Sequence, residues 1–198
     1  MMDAALVSQA VIAGNAEVFT AIRDDEVALA IWERPVPDIL SIPLNAISNM
    51  RFQCGVGELP DMLQQAMNTA GFGKRIGSHV LLTDILMLAN HFARAMCTET
   101  VEIRLERIVN NACKKFHADY VTARLITTYV GQGTQWLDGP DAADCDCGDL
   151  HNIRQLDTGD IGIFKGRLWP ESAPAIHRSP PIEGSGEERL VLVINPAG

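Results

Sequence analysis

The sequence predicts an α+β protein in which N-terminal helices support a C-terminal double-stranded β-helix, or jelly roll. Two observations carry this prediction. Residues 58–73 and 78–97 place apolar side chains at helical spacing, whereas after Thr98 the pattern turns to alternation and about the last 80 residues show no helical period. Short strands separated by glycine-marked turns suit a sheet structure that closes on itself. With 198 residues, 47% of them hydrophobic, the chain can bury a sizeable core as one domain. Residues 1–98 are then mainly helical support with the first strands, and 99–198 the β-helix core.

In order along the chain, AEVFTAIRDDEVALAIWERPVP reads as a helix or strand segment stopped by Pro35 and Pro37, and the residues leave that choice open. LPDMLQQAMNTAGFG predicts a helix with Pro60 near its start and Gly71 at its end, and Ser78 opens a longer helix, HVLLTDILMLANHFARAMC. Val101, Ile103 and Leu105 alternate as in a strand. RLITTYV is rich in β-branched residues, GQGTQWLDGP reads as a turn, DTGDIGIFKG as a turn and short apolar strand, and ERLVLVIN as the closing strand. HRSPPIEGSGEE is a loop between strands.

Phe116-His117-Ala118-Asp119, taken with His177, contains the parts of a mononuclear metal site. In an extended strand, side chains two apart share a face, so a His-x-Asp pair can offer an imidazole and a carboxylate to one ion. His177 from a second strand completes a facial triad of the kind that suits iron(II), which must also bind a co-substrate and oxygen. The alternative for His117 and Asp119 is a hydrogen-bonded strand pair, and for His177 a loop histidine. A buried aspartate, however, needs a metal or an arginine beside it. Arg124 is a candidate partner of that kind. His79 and His91, 12 positions apart on one helix, fall on different faces and make a poor shared site. Arg178, next to His177, points the other way in a strand, and Trp136 and Trp169 read as core or pocket wall.

Five cysteines (Cys54, Cys97, Cys113, Cys145, Cys147) lack the paired spacing of zinc modules or disulfide scaffolds and read as reduced thiols. Cys145 and Cys147, in an acidic loop with His151 close behind, are the exception that could hold a soft metal. Cys113 reads as a small buried hydrophobe, although it shares parity with His117 and Asp119 if their strand extends that far. The net charge of -9 argues against nucleic acid and anionic membrane as partners. No stretch reaches the length of a membrane span, and the N-terminus lacks a basic leader region, so a cytoplasmic location is the expectation.

The run KKFHADYVTARLITTYVGQGTQWL, with LDTGDIGIFKG, RLWPES and AIHRSPPIEGSGEERLVLVIN, resembles the bacterial family known as domain of unknown function 1826. The motif order is also similar to that of the iron(II) and 2-oxoglutarate dependent dioxygenases, especially their prolyl-hydroxylase-like branch. That resemblance implies a cupin-like jelly roll with His117, Asp119 and His177 as iron ligands, and Arg189 gripping the far carboxylate of 2-oxoglutarate through its planar fork of donors. It also implies that Tyr129 donates to the same carboxylate, with Thr128 or Thr127 assisting according to strand parity. The substrate, a small molecule or a peptide, is not specified. The alternative is a non-oxygenase protein that holds zinc and is linked to metal homeostasis, with a metal-chaperone association as a further implication of the first resemblance.

Overall fold

The computed structural model describes residues 9–39, 43–73, 75–138 and 152–197. The Cys145/Cys147 loop and His151, singled out as a second candidate for metal, lie outside the described residues.

Three strands come from the first half: β1 (Gln9–Ala13), β2 (Val27–Trp32) and β3 (Met50–Gly55). The segment left open between helix and strand is both. Ala16–Arg23 forms a 3₁₀ helix capped by the Asn15 side chain, and β2 ends before Pro35. Helix α1 (Leu59–Thr69) has Pro60 in its first turn and buries Leu59, Leu63 and Met67, one apolar stripe at four-residue spacing. Gly71 follows with φ +90, where a Cβ would press on the Ala46 carbonyl, so glycine is required at this exit. Helix α2 (Ser78–Met96) turns Leu81, Ile85, Leu88 and Phe92 into the same core and ends at Cys97, itself left-handed.

The second half contributes β4 (Thr100–Ile108), β5 (Ala123–Val130), β6 (Gln135–Leu137), β7 (Ile153–Gln155), β8 (Ile161–Lys165), β9 (His177–Arg178) and β10 (Arg189–Pro196). GQGTQWLDGP is therefore not only a turn, because β6 begins within it. Seven strands form a large sheet in the order β1-β2-β8-β5-β10-β4-β3, and three form a small sheet, β7-β6-β9. An isolated antiparallel bridge between His117 and His177 adds one more paired position beside β9. From β4 onward the chain visits the sheets in turn: large at β4, small at the His117 bridge, large at β5, small at β6 and β7, large at β8, small at β9 and large at β10.

Both faces of the central strands are covered. Leu190, Leu192 and Ile194 of β10 pack with the helices, while Val191 and Val193 pack with Trp136 of β6 in a second cluster. Two covered faces explain why β10 reads as an almost unbroken apolar run and why β5 carries no polar face for solvent. Fully burying each Val, Leu or Ile contributes about 1.5–3 kcal/mol, so this double-sided burial anchors β10 and the residues at its start. Among the described residues, no helix is long and apolar enough to cross a membrane.

Candidate metal centre

His117, Asp119 and His177 come together with one potential ligand atom from each lying within 4.8 Å of the others. Asp119 Oδ2 is 3.2 Å from His177 Nε2, and Oδ1 is 3.7 Å from His117 Nε2. The two imidazole centroids are 4.9 Å apart. The backbone achieves this differently from the expected strand. Only His117 is paired, through reciprocal N–H to carbonyl bonds with His177 of 3.0 and 2.9 Å, and Asp119 lies in irregular chain. Cys113, with φ +59, breaks any extended run upstream, so its presumed shared parity with the motif does not exist. It is also exposed, not a buried hydrophobe.

Asp119 is positioned from behind. Its carbonyl accepts from Arg167 N–H at 2.8 Å, Gly166 N–H bonds to the Thr122 carbonyl at 2.8 Å, and a Cβ at Gly166 would collide with the Val121 carbonyl. His177 is buried under the Phe164 ring, 4.7 Å between centroids.

The tautomers follow from the ring partners. His117 Nδ1 faces the Lys115 carbonyl at 2.9 Å and His177 Nδ1 the Ala175 carbonyl at 3.1 Å. A carbonyl can only accept, so each Nδ1 carries hydrogen, and each neutral ring directs an Nε2 lone pair inward. Two lone pairs thus meet a carboxylate whose Oδ2 is buried and accepts no hydrogen bond. Such a convergence is repulsive without a cation. A metal ion fits it, and in a metal-free molecule a proton must serve. Accordingly the Asp119 carboxylate beside it raises the pKa of His117, against the opposing effect of burial. Burial alone would raise Asp119, but His117, His177 and Arg124 outweigh it and hold the carboxyl well below the usual carboxylate range.

A cavity of about 380 Å³ opens beside the cluster, and His117, His177, Arg124, Thr134, Ser179 and Arg189 are on its wall. Arg189 is 1% exposed. Its Nε donates to the Gln132 carbonyl at 2.6 Å, Nη1 to Ser179 Oγ at 2.9 Å, and Nη2 to the hydroxyls of Thr128 and Thr134 at 3.2 and 3.5 Å. Among the described residues no carboxylate pairs with it, and burial pushes its pKa down to about 10. Strand parity selects Thr128, not Thr127, for the cavity side.

The same parity removes Tyr129. Its side chain belongs to the helix-facing core, where the hydroxyl donates to Asp84 Oδ2 at 2.6 Å, and Asp84 is gripped in turn by both terminal nitrogens of Arg34. The expectation that Tyr129 binds a carboxylate in the cavity is therefore incorrect, since β5 turns it to the opposite face. Arg178 lies over Phe116 at 4.3 Å, with Nε on Gln135, and also lines the cavity. Trp136 is core, and Trp169 stacks under the Lys165 ammonium at 4.7 Å. His91 packs edge-on to Phe19 and Trp32 and His79 is exposed, so neither approaches the cluster. Thr134 and Ser179 were not anticipated, because each gains meaning only once Arg189 is known to turn inward.

Fold and cluster together define a mixed α+β protein, mostly sheet, with two histidines and a carboxylate arranged as potential metal ligands. The chain belongs to the family described as Protein of unknown function (DUF1826), whose model matches residues 13–195. No curated protein matches it significantly. Among solved structures it is similar to a prolyl-4-hydroxylase from Pseudomonas putida, with 12% identity over 92% of this chain and 99% of the other and a TM-score of 0.46. It is also similar to a putative oxygenase from Shewanella oneidensis, at 13% identity, 95% and 89% coverage and a TM-score of 0.47. A cupin 2 conserved barrel domain protein from Leptotrichia buccalis is similar over 49% of this chain and 36% of its own, at 12% identity and a TM-score of 0.31.

Proposed function

We propose that this protein is a non-haem iron(II) and 2-oxoglutarate dependent oxygenase acting on a substrate not yet identified. The observation that carries the reading is Arg189, a guanidinium buried without a counter-charge among the described residues, on the wall of the cavity that also contains the inward-facing His117 and His177. A buried charge needs a partner, and a dicarboxylate entering the cavity supplies one. The alternation of the chain between two sheets from β4 to β10 supports reading residues 99–198 as the cupin-like jelly roll.

In this reading His117, Asp119 and His177 hold the metal by Nε2, a carboxylate oxygen and Nε2, and leave other coordination positions open. Iron(II) bound there supplies the capacity to activate oxygen at the expense of 2-oxoglutarate. The protein's own contribution is orientation. Lys115 and Ala175 carbonyls fix the imidazole tautomers, and Thr128, Thr134 and Ser179 fix the guanidinium plane so that it meets a carboxylate in one geometry.

Anaerobic addition of iron(II) and 2-oxoglutarate should give the weak visible charge-transfer band of the chelate, and His117→Ala should remove it. An absent band would refute the proposal. The same donors also suit zinc, and the exposed Cys113 thiol on the cavity wall favours that second reading, a zinc-holding protein of metal homeostasis. Tight zinc binding with no affinity for 2-oxoglutarate would identify it.

A further inference from the structure

Asp119 does not stand alone behind the cluster. Its Oδ1 takes a 2.6 Å ion pair from Arg124 Nη1. Arg124 Nε donates to Asn195 Oδ1 at 2.8 Å, Asn195 Nδ2 donates to Glu102 Oε2 at 2.7 Å, and Glu102 Oε1 accepts from Arg51 Nε at 2.6 Å. The chain crosses four neighbouring strands, β3, β4, β10 and β5, on the sheet face turned towards the cavity. Its charges alternate in sign from Arg51, 67% exposed, through Glu102 and Arg124 to Asp119. Burying Glu102 and Asn195 at 6% and 5% exposure is costly unless each contact is kept, so the chain is held in one arrangement. The Asn195 amide cannot flip, because its NH₂ would then face the guanidinium.

We infer that Arg124 is a positioning residue for the metal and that Asn195 acts through it. This rests on the metal-centre reading above and adds to it. With Oδ1 engaged by Arg124, only Oδ2 remains free, and that is the oxygen which accepts no hydrogen bond. Asp119 is thereby a one-oxygen ligand, and one more coordination position stays open to a co-substrate. Without the anchor at Asn195, Arg124 swings and Asp119 can turn to chelate through both oxygens or leave the cluster.

The test uses the full-length, chelator-stripped protein titrated with cobalt(II), reading both the dissociation constant and the visible ligand-field bands. Asn195 is neutral, so Asn195→Leu changes position without changing charge and separates anchoring from the repulsion between Arg124 and the cation. The expected result is a roughly tenfold weaker dissociation constant with altered bands. In an Arg124→Met background, Asn195→Leu should produce no further change. If Asn195→Leu does not fold, Asn195→Ala carries the same expectation. A variant with lowered Tm but unchanged affinity and bands, or effects of the two substitutions that simply add, would overturn the inference while leaving the metal centre intact. A wild-type protein that takes up no cobalt would sink the metal centre and this inference together.

Discussion

Replacing Arg189 by methionine should separate binding from stability. The guanidinium is 1% exposed, and burial pushes its pKa down from the ordinary arginine range to about 10. A depression of that size corresponds to a charged-state penalty on the order of 3 kcal/mol in the folded protein. Methionine removes this penalty and fills much of the same volume, as replacement of buried ionic groups by apolar ones often permits. Against it stand the lost bonds to the Gln132 carbonyl and to the Ser179, Thr128 and Thr134 hydroxyls, each worth about 1 kcal/mol net. The opposing contributions cancel to within about 2 kcal/mol, so the variant should fold with a Tm close to that of the wild type. Binding of 2-oxoglutarate should behave differently. Truncating one side of a buried charge pair costs about 2–5 kcal/mol, or roughly thirtyfold to several-thousandfold in affinity. Calorimetric titration of 2-oxoglutarate into anaerobic, iron(II)-loaded protein measures this directly, with a thermal melt of the same sample as the control. A folded Arg189→Met protein binding 2-oxoglutarate within about threefold of wild type would show that the buried arginine serves packing and not a ligand.

Tyr129→Phe should lower stability by about 1–2 kcal/mol, because it removes one bond to Asp84 while Arg34 keeps that carboxylate paired, and should leave 2-oxoglutarate affinity unchanged. Denaturant unfolding and calorimetry check the two halves, and a lost co-substrate affinity would place the tyrosine back in the cavity. Gly166→Ala should displace the Val121 carbonyl and with it the Asp119 segment, costing about 1–3 kcal/mol and weakening cobalt(II) uptake at least severalfold. Unchanged uptake would mean that the turn does not position Asp119. In the metal-free protein the raised pKa of His117 contributes stability that is fully present below its unfolded value of about 6.5 and is lost as pH rises through the folded value. Asp119, held low, stays ionised throughout that window. Melts of chelator-treated protein should therefore show a Tm falling from about pH 6 to about pH 8, and metal-loaded protein should lack that decline because the ion replaces the proton. Identical profiles with and without metal would contradict the proton-for-cation exchange.

The parts of this molecule readable from sequence are those governed by residue type and period. Helical stripes at Leu59, Leu63 and Met67, the alternation of Val101, Ile103 and Leu105, and the His-x-Asp pair are local patterns that need no partner to be seen. What escaped depends on which of two faces a side chain takes. A shift of one residue reverses every assignment along a strand, and β5 has apolar or hydroxyl residues on both faces, so nothing in RLITTYV says that Thr128 turns to the cavity and Tyr129 away. The chain from Arg51 to Asp119 was hidden for the opposite reason. Glu102, Arg104 and Glu106 alternate with buried Val101, Ile103 and Leu105, which is the signature of a strand with one face in water. Yet Glu102 is 6% exposed, and its carboxylate is matched by Arg51 of β3 and Asn195 of β10, partners that β4 alone does not reveal. An acidic residue on a seemingly solvated face thus becomes informative when other strands bring partners to it. In this protein β10 brings Asn195 to Glu102 and β5 brings Arg124 to Asn195, and so the strands that match Glu102 are the ones that lead to Asp119 in the metal cluster.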